Sequence, residues 1–184
     1  MSRLSYIDTE ELDEEDRDLL KIPLNLYRKL VNSPKAARAF RGLGYHIRYT
    51  STLNPRLREM AIIQIGYLAR SDYEYAHHVS MGMEQFGLSK EDIHSITAET
   101  NGDESGLNEL ERTVLRSARE MYNNLKISDE NFNLLQKVLS PEHVTELVIA
   151  IAFYCAVVRV LATLEIENEP KYKIVLEQFP LPSL

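Results

Sequence analysis

The chain has 184 residues, of which 44% are hydrophobic and 27% charged, and its formal net charge at pH 7 is −7. This length and composition fit one soluble globular domain with a sizeable buried core, and they exclude a disordered or fibrous protein. The acidic excess argues against nucleic acid as a partner, because phosphate binding requires a basic surface.

Helix-start signals recur along the chain and predict an all-α fold. Ser33, Asn54 and Ser140 each precede a proline, which places an N-cap residue before proline at the first helical position. Apolar residues between these starts follow a helical period, and no stretch shows the alternation of a half-buried strand. The predicted helices are residues 10–20, 23–31, 34–50, 55–69, 72–86, 89–97, 108–125, 129–138 and 141–162.

The same pattern predicts a single helical domain over residues 1–184. Its core spans about residues 35–165, preceded by an acidic helical segment. A tail from Glu167 onwards contains three prolines and is expected to pack over a neighbouring surface. No linker rich in proline, glycine or serine divides the chain.

The cysteine content and the hydropathy pattern favour a cytoplasmic protein. Cys155 is the only cysteine, so it cannot form an intrachain disulfide, and its apolar surroundings favour a buried, inert thiol. The N-terminus lacks the pattern of a signal peptide. The longest apolar run, residues 147–158, is too short to span a bilayer, so no membrane partner is expected.

Four polar residues stand at a spacing that carries a family resemblance. Glu59 is followed by Ser71, Glu74 and His78. The frame resembles the motif of the alkylhydroperoxidase D branch of the carboxymuconolactone decarboxylase family, which has cysteines at the positions of Ser71 and Glu74. Similar segments at residues 54–62, 73–78, 110–115 and 144–154 extend the resemblance over about residues 35–165.

The resemblance implies an all-helical bundle that assembles with copies of itself as a trimer, hexamer or dimer. It also limits the chemistry. In the peroxidase branch two cysteines cycle between dithiol and disulfide, and thiolates are the nucleophiles towards peroxide. A serine hydroxyl and a carboxylate cannot replace them, so peroxidase activity by that route is excluded.

What remains of the motif is a carboxylate and imidazole relay. The resemblance to the decarboxylase branch implies a small carboxylated lactone or organic acid as substrate, with no cofactor. Loss of carbon dioxide leaves an electron-rich carbon that must be protonated, and imidazole transfers protons well near neutral pH. His78 is the candidate general acid/base, with Glu59 and Glu74 as proton-sharing carboxylates.

Several further residues flank the relay. Tyr73 or Tyr75 could form a pocket wall beside it. A substrate carboxylate needs a cation, and the spacing does not choose among the three nearby arginines. These candidates are Arg56, Arg58 and Arg70.

Structural explanations compete with this hypothesis. Ser71 and Glu74 form the pattern of a capping box, in which Glu74 would bond back to the Ser71 amide. Glu59 could pair with an arginine at the surface, and His77 is expected to be exposed or at an interface. In that case the protein would be a non-catalytic binding or scaffold member of the family.

A metal site is the third hypothesis. Glu74 and His78 lie one helical turn apart and could share a metal ion with Glu59, as in a metal-assisted hydrolase or oxygenase. Such pairs are common on helices that bind no metal, so the preferred prediction contains none.

Overall fold

The computed structural model describes residues 3–182, and this part of the chain is all-helical without strands. The predicted all-α fold is therefore confirmed. The α-helices are α1 (Asn25–Leu30), α2 (Pro34–Tyr45), α3 (Pro55–Leu68), α4 (Asp72–Gln85), α5 (Lys90–Asn101), α6 (Glu109–Asn124), α7 (Asp129–Val138), α8 (Pro141–Thr163) and α9 (Lys173–Gln178).

Three segments differ from the predicted helices. The acidic segment forms two 3₁₀ stretches, Thr9–Glu11 and Glu14–Leu20, instead of one α-helix, since consecutive carboxylates leave it few apolar positions to bury. Helix α2 gives way at His46–Thr50 to one π-helical turn. The tail contains the short helix α9, which packs against α4.

Helix α3 is the centre of the bundle. It begins at Pro55, where the Asn54 side chain accepts a hydrogen bond of 2.9 Å from the Arg56 amide. Every residue from 57 to 67 is buried, because the helix contacts α4, α6 and α8 on different sides. Polar residues on α3 therefore lie in the interior, where they need partners.

Helix α8 is long and apolar enough to cross a membrane, by length and composition alone. In this structure it packs along α3, and its inward face is buried in the main hydrophobic core. A buried core helix meets the same criteria of length and hydropathy as a membrane span.

Helices α3 and α4 approach each other closely at Gly66. A Cβ atom built on Gly66 would lie 2.9 Å from the Tyr75 backbone nitrogen. Because backbone cannot move aside as a side chain can, only glycine fits at this crossing. The short connection from Leu68 to Asp72 then turns α4 back along α3.

Substituting Gly66 with alanine should therefore destabilise the fold. We expect Gly66→Ala to lower the free energy of unfolding by about 1–3 kcal/mol, the usual cost of overpacking, measured by urea denaturation. The control is Gly42→Ala on α2, where nothing lies within 4 Å of the added Cβ, and this change should be neutral or stabilising. Equal stability of the two variants would contradict a close crossing at Gly66.

Candidate active site

The turn between α3 and α4 aligns the relay residues. Arg70 adopts a left-handed conformation with φ of 50°, and the Ser71 amide donates to the Gly66 carbonyl at 3.0 Å. The Ser71 hydroxyl caps α4 by accepting from the Glu74 amide at 3.4 Å. Ser71 thus fixes where α4 starts, and α4 then presents Glu74 and His78 from consecutive turns.

The predicted capping box forms only in part. Its Ser71 half is present, but the Ser71 amide is already bonded to α3, and the Glu74 carboxylate does not return to it. Instead Glu74 Oε1 lies 3.0 Å from His78 Nε2. The side chain of Glu74 therefore joins the imidazole, and the prediction that it bonds back to its own helix start is wrong.

His78 lies between two carboxylates. Its Nδ1 atom is 2.7 Å from Glu59 Oε2 on α3, and its Nε2 atom faces Glu74 on α4. All three residues are buried, with Glu59 fully inaccessible. The result is a linear Glu–His–Glu arrangement that engages both imidazole nitrogens.

Arg58 completes the charge balance of this buried group. Its Nε atom donates to Glu59 Oε1 at 3.1 Å, and its guanidinium carbon lies 4.5 Å from the centre of the Phe86 ring. With a proton on His78, the formal charges of the two glutamates, Arg58 and His78 cancel. The proposed surface pairing of Glu59 is therefore wrong, because its arginine partner is also buried.

The carboxylates change the protonation of His78. Burial acts to lower the pKa of His78, but Glu59 and Glu74 outweigh it and raise that pKa from the ordinary 6.5 to about 9. At neutral pH the imidazole therefore carries its proton. The group is prepared to act as an acid rather than as a base.

The relay opens onto a cavity of about 480 Å³. Glu74 and His78 form part of its wall, while Glu59 lies behind them. Most of the wall is apolar or aromatic, contributed by α1, α2, the π-helical turn, α4 and α8. Such a volume is typical of a site for a small organic molecule.

The two candidate wall tyrosines point in opposite directions. Tyr73 lines the cavity, and its hydroxyl donates to Glu169 Oε1 at 3.1 Å. Tyr75 lies on the other side of α4, where it packs against Tyr67 in a separate hydrophobic cluster. Sequence analysis missed Tyr154 of α8, whose ring stands edge-on to His78 at 4.8 Å between ring centres.

None of the three candidate arginines lines the cavity. Arg56 is bound to Asp92 and Glu111, and Arg58 serves Glu59. Arg70 is exposed at the turn before α4. The three predicted arginines are therefore placed away from this cavity, and the arginines in its wall are Arg41 and Arg48.

A second histidine and glutamate pair closes one side of the cavity. His77 is buried, against the prediction, and its Nε2 atom lies 2.6 Å from Glu169 Oε2. Its ring is stacked on Tyr73 at 4.1 Å and contacts Tyr172 at 3.7 Å between ring centres. The C-terminal tail thus packs on α4 beside the cavity.

Glu169 also holds the segment that covers the cavity. It accepts a hydrogen bond of 2.7 Å from the Asn25 amide, next to the lining residues Leu24 and Leu26. Burial acts to raise the pKa of Glu169, but its bonds to His77 and the Asn25 amide outweigh burial and lower that pKa to about 2. Glu169 thus joins the tail to the N-terminal segment, next to a second bond in which the Asn25 side chain donates to the Glu167 carbonyl at 2.9 Å.

The proposed metal ligands form a different arrangement. Among residues 3–182, no group of three or more histidine, cysteine, aspartate or glutamate side chains is arranged to hold a metal ion. Glu59 and Glu74 face the two opposite nitrogens of His78 rather than a common point.

Three solved structures resemble the chain over almost its full length. An uncharacterized peroxidase-related protein from Ralstonia eutropha JMP134, described as an alkylhydroperoxidase AhpD core, has a TM-score of 0.79 at 15% identity, covering 93% of this chain and 94% of its own. A variant of the debrominase Bmp8 in complex with 2,3,4-tribromopyrrole has a TM-score of 0.76 at 18% identity, covering 97% and 100%. A peroxidase-related protein from Silicibacter sp. TM1040 reaches 0.72 at 15% identity, covering 92% of each chain.

These likenesses show that the chain has the alkylhydroperoxidase D-like fold. Residues 34–105 match the model of the carboxymuconolactone decarboxylase family, and the chain has a single cysteine, outside this segment. No curated protein sequence is significantly similar to the chain. The matched segment includes Glu59, Ser71, Glu74 and His78, while Tyr154 and Glu169 lie outside it.

The raised pKa of His78 predicts a loss of stability at alkaline pH. The folded pKa of about 9 exceeds the ordinary 6.5, so the stabilisation is complete below pH 6.5 and disappears as the pH rises through 9. Relative to His78→Gln, the wild type should lose on the order of 3 kcal/mol of unfolding free energy over this range.

Urea denaturation at several pH values measures this difference. His143→Gln is the matched control, because the His143 side chain makes no hydrogen bond or ion pair within residues 3–182, where its backbone amide donates to Ser140. The control should follow the wild-type pH profile. Parallel profiles for wild type and His78→Gln would show that His78 gains no proton affinity on folding.

Proposed function

We propose that this protein catalyses cofactor-free proton transfer on a small organic acid or lactone, with decarboxylation as the first candidate reaction. One observation carries the proposal: the buried relay of Glu59, His78 and Glu74 opens onto a cavity sized for a small molecule. A protonated imidazole at a cavity wall is a general acid at neutral pH.

The proposed reaction needs only one proton from the protein. The bond between the substrate carbon and its carboxylate breaks, carbon dioxide leaves, and the electron pair stays on the carbon. That carbon takes the proton shared by His78 Nε2 and Glu74 Oε1, which lie 3.0 Å apart at the wall. A proton from water then restores the relay, so no oxidant or reductant is required.

The other relay residues position the acid. Glu59 holds Nδ1 and so directs Nε2 towards Glu74 and the cavity. Arg58 in turn fixes the second oxygen of Glu59. In this proposal Glu59 and Arg58 act through His78, and Glu74 and His78 are the groups that meet the substrate.

The paired-thiol reaction has no counterpart in this chain. Its one cysteine, Cys155, lies on α8 and is not part of the cavity wall, and burial raises the pKa of its thiol. A cycle between dithiol and disulfide needs two thiols within reach of each other.

Substitution of His78 tests the proposal in a screen of small lactones and oxo-acids. His78→Gln should lower kcat by about 10²–10⁴-fold, the usual contribution of general acid catalysis, with His143→Gln as the unaffected control. Wild-type kcat should fall as the pH rises through about 9, where His78 loses its proton. Product formed in D₂O should carry deuterium on the carbon that lost carbon dioxide.

Two outcomes would count against the proposal. Turnover that survives His78→Gln would remove His78 as the proton donor. Ligands that bind without turnover in any member of the screen would favour the alternative of a non-catalytic binding protein. The cytoplasmic location and the absence of nucleic-acid and membrane partners stay predictions from the sequence.

We also propose that the protein forms a homo-oligomer through α8. The outward side of this helix exposes Ile149, Ala152 and Ala156, an apolar strip that self-association would cover. Light scattering should give a multiple of the single-chain mass, and Ile149→Glu should lower it. A wild-type mass equal to one chain would refute this proposal.

A further inference from the structure

Arg48 brings a positive charge without a counter-ion to the cavity wall. Its Nη1 atom donates to the Tyr154 hydroxyl at 3.0 Å, and its Nη2 atom to the Tyr27 hydroxyl at 3.4 Å. Within residues 3–182, no carboxylate lies close enough to pair with it, whereas Arg56 and Arg58 both bind glutamate or aspartate. A partly buried guanidinium with only hydroxyl partners would be stabilised by an anion.

The local backbone is shaped around this side chain. Arg48 lies in the π-helical turn His46–Thr50, an irregularity that often marks functional sites. One turn earlier, Gly44 leaves room for the guanidinium, because a Cβ atom there would lie 3.2 Å from Arg48 Nη1. Phe153 of α8 closes the same space at 3.4 Å from that Cβ position.

The remaining walls favour a flat ligand. Aromatic rings surround the cavity, and Phe40 and Phe153 contact each other at 4.8 Å between ring centres. Planar rings gain both burial and ring-to-ring attraction against such walls. The aromatic lining residues besides these two are Tyr27, Tyr45, Tyr49, Tyr73 and Tyr154.

We propose that the cavity binds a planar, aromatic or conjugated organic anion whose charged group is held by the Arg48 guanidinium. Glu74 lies at another part of the wall and repels an anionic group, which orients the ligand with its charge at Arg48. Tyr154 links the two ends, since its hydroxyl accepts from Arg48 and its ring edge meets His78.

This orientation separates binding from reaction. The anion-binding proposal rests on the proposed function in one respect only. It takes from that function that the reacting bond of the ligand lies next to His78. The group on Arg48 stays on the molecule.

Arg41, the other arginine of the wall, is a weaker candidate. Its Nη1 atom donates to the Asp18 backbone carbonyl at 2.7 Å, and its charge lowers the pKa of the nearby Asp18 carboxyl, after a larger effect of Arg38. It is thus turned towards the acidic N-terminal segment. Arg41→Gln is the matched control for Arg48→Gln.

Calorimetric titration with 2-naphthoate, and with 2-naphthamide as its uncharged counterpart, tests the proposal. Wild type should prefer the anion, and Arg48→Gln should weaken 2-naphthoate binding by about tenfold or more while leaving 2-naphthamide unchanged. Gly44→Ala keeps the positive charge of Arg48 but displaces its guanidinium, so this variant should also bind 2-naphthoate more weakly. Arg41→Gln should bind both probes as wild type does.

Two results would overturn the proposal. Equal binding of the two probes by wild type, or loss of the anion with Arg41→Gln but not with Arg48→Gln, would each remove Arg48 as the anion site. Thermal unfolding of each variant shows that it is folded before titration, and Gly44→Ala provides the second test of the anion site if Arg48→Gln fails to fold.

The same titration separates this proposal from the proposed reaction. In the His78→Gln background, Arg48→Gln should still weaken 2-naphthoate relative to 2-naphthamide, because the anion site is at Arg48 and not at His78. Anion binding that depends on Arg48, without His78-dependent turnover, would support the site and refute the reaction. Turnover that depends on His78, with binding indifferent to Arg48, would refute the site alone.

Discussion

The packing of α3 against α4 is the constraint on which the rest of the structure depends. Burying an imidazole and two carboxylates is unfavourable unless each finds a partner of the right charge at the right distance. The close crossing at Gly66 and the short turn at Ser71 bring Glu59 beside His78. The core helices therefore have a chemical as well as a mechanical role, because a looser crossing would leave these charges unpaired.

Much of the fold was predictable from local signals in the sequence. Serine or asparagine before proline marks the starts of α2, α3 and α8, and apolar periodicity gives the helices between them. The predicted helices differ from the observed ones where the periodicity of apolar residues is weak. The acidic N-terminal segment, the π-helical turn after Tyr45 and the helix in the tail depend on tertiary contacts that no short window records.

The candidate site was predictable only where its residues are close in sequence. The frame from Glu59 to His78 lies on two consecutive helices, so spacing alone suggests that its members meet. Tyr154, Arg48 and Glu169 reach the cavity from distant segments, and nothing in their neighbouring residues indicates it. Glu74 presents a different difficulty, because its position in the sequence fits both a helix capping box and a contact with His78. Only the direction of its side chain in the structure distinguishes the two roles.

Glu169 has a practical consequence for how the protein should be prepared. A cleavage or truncation before this residue would remove, together, the partner of His77 and the acceptor of the Asn25 amide. The wall near Leu24 and Leu26 would then lose an anchor that lies more than a hundred residues away in the chain. Integrity of the C-terminus, checked by intact mass, is thus a requirement for any preparation in which the cavity is studied.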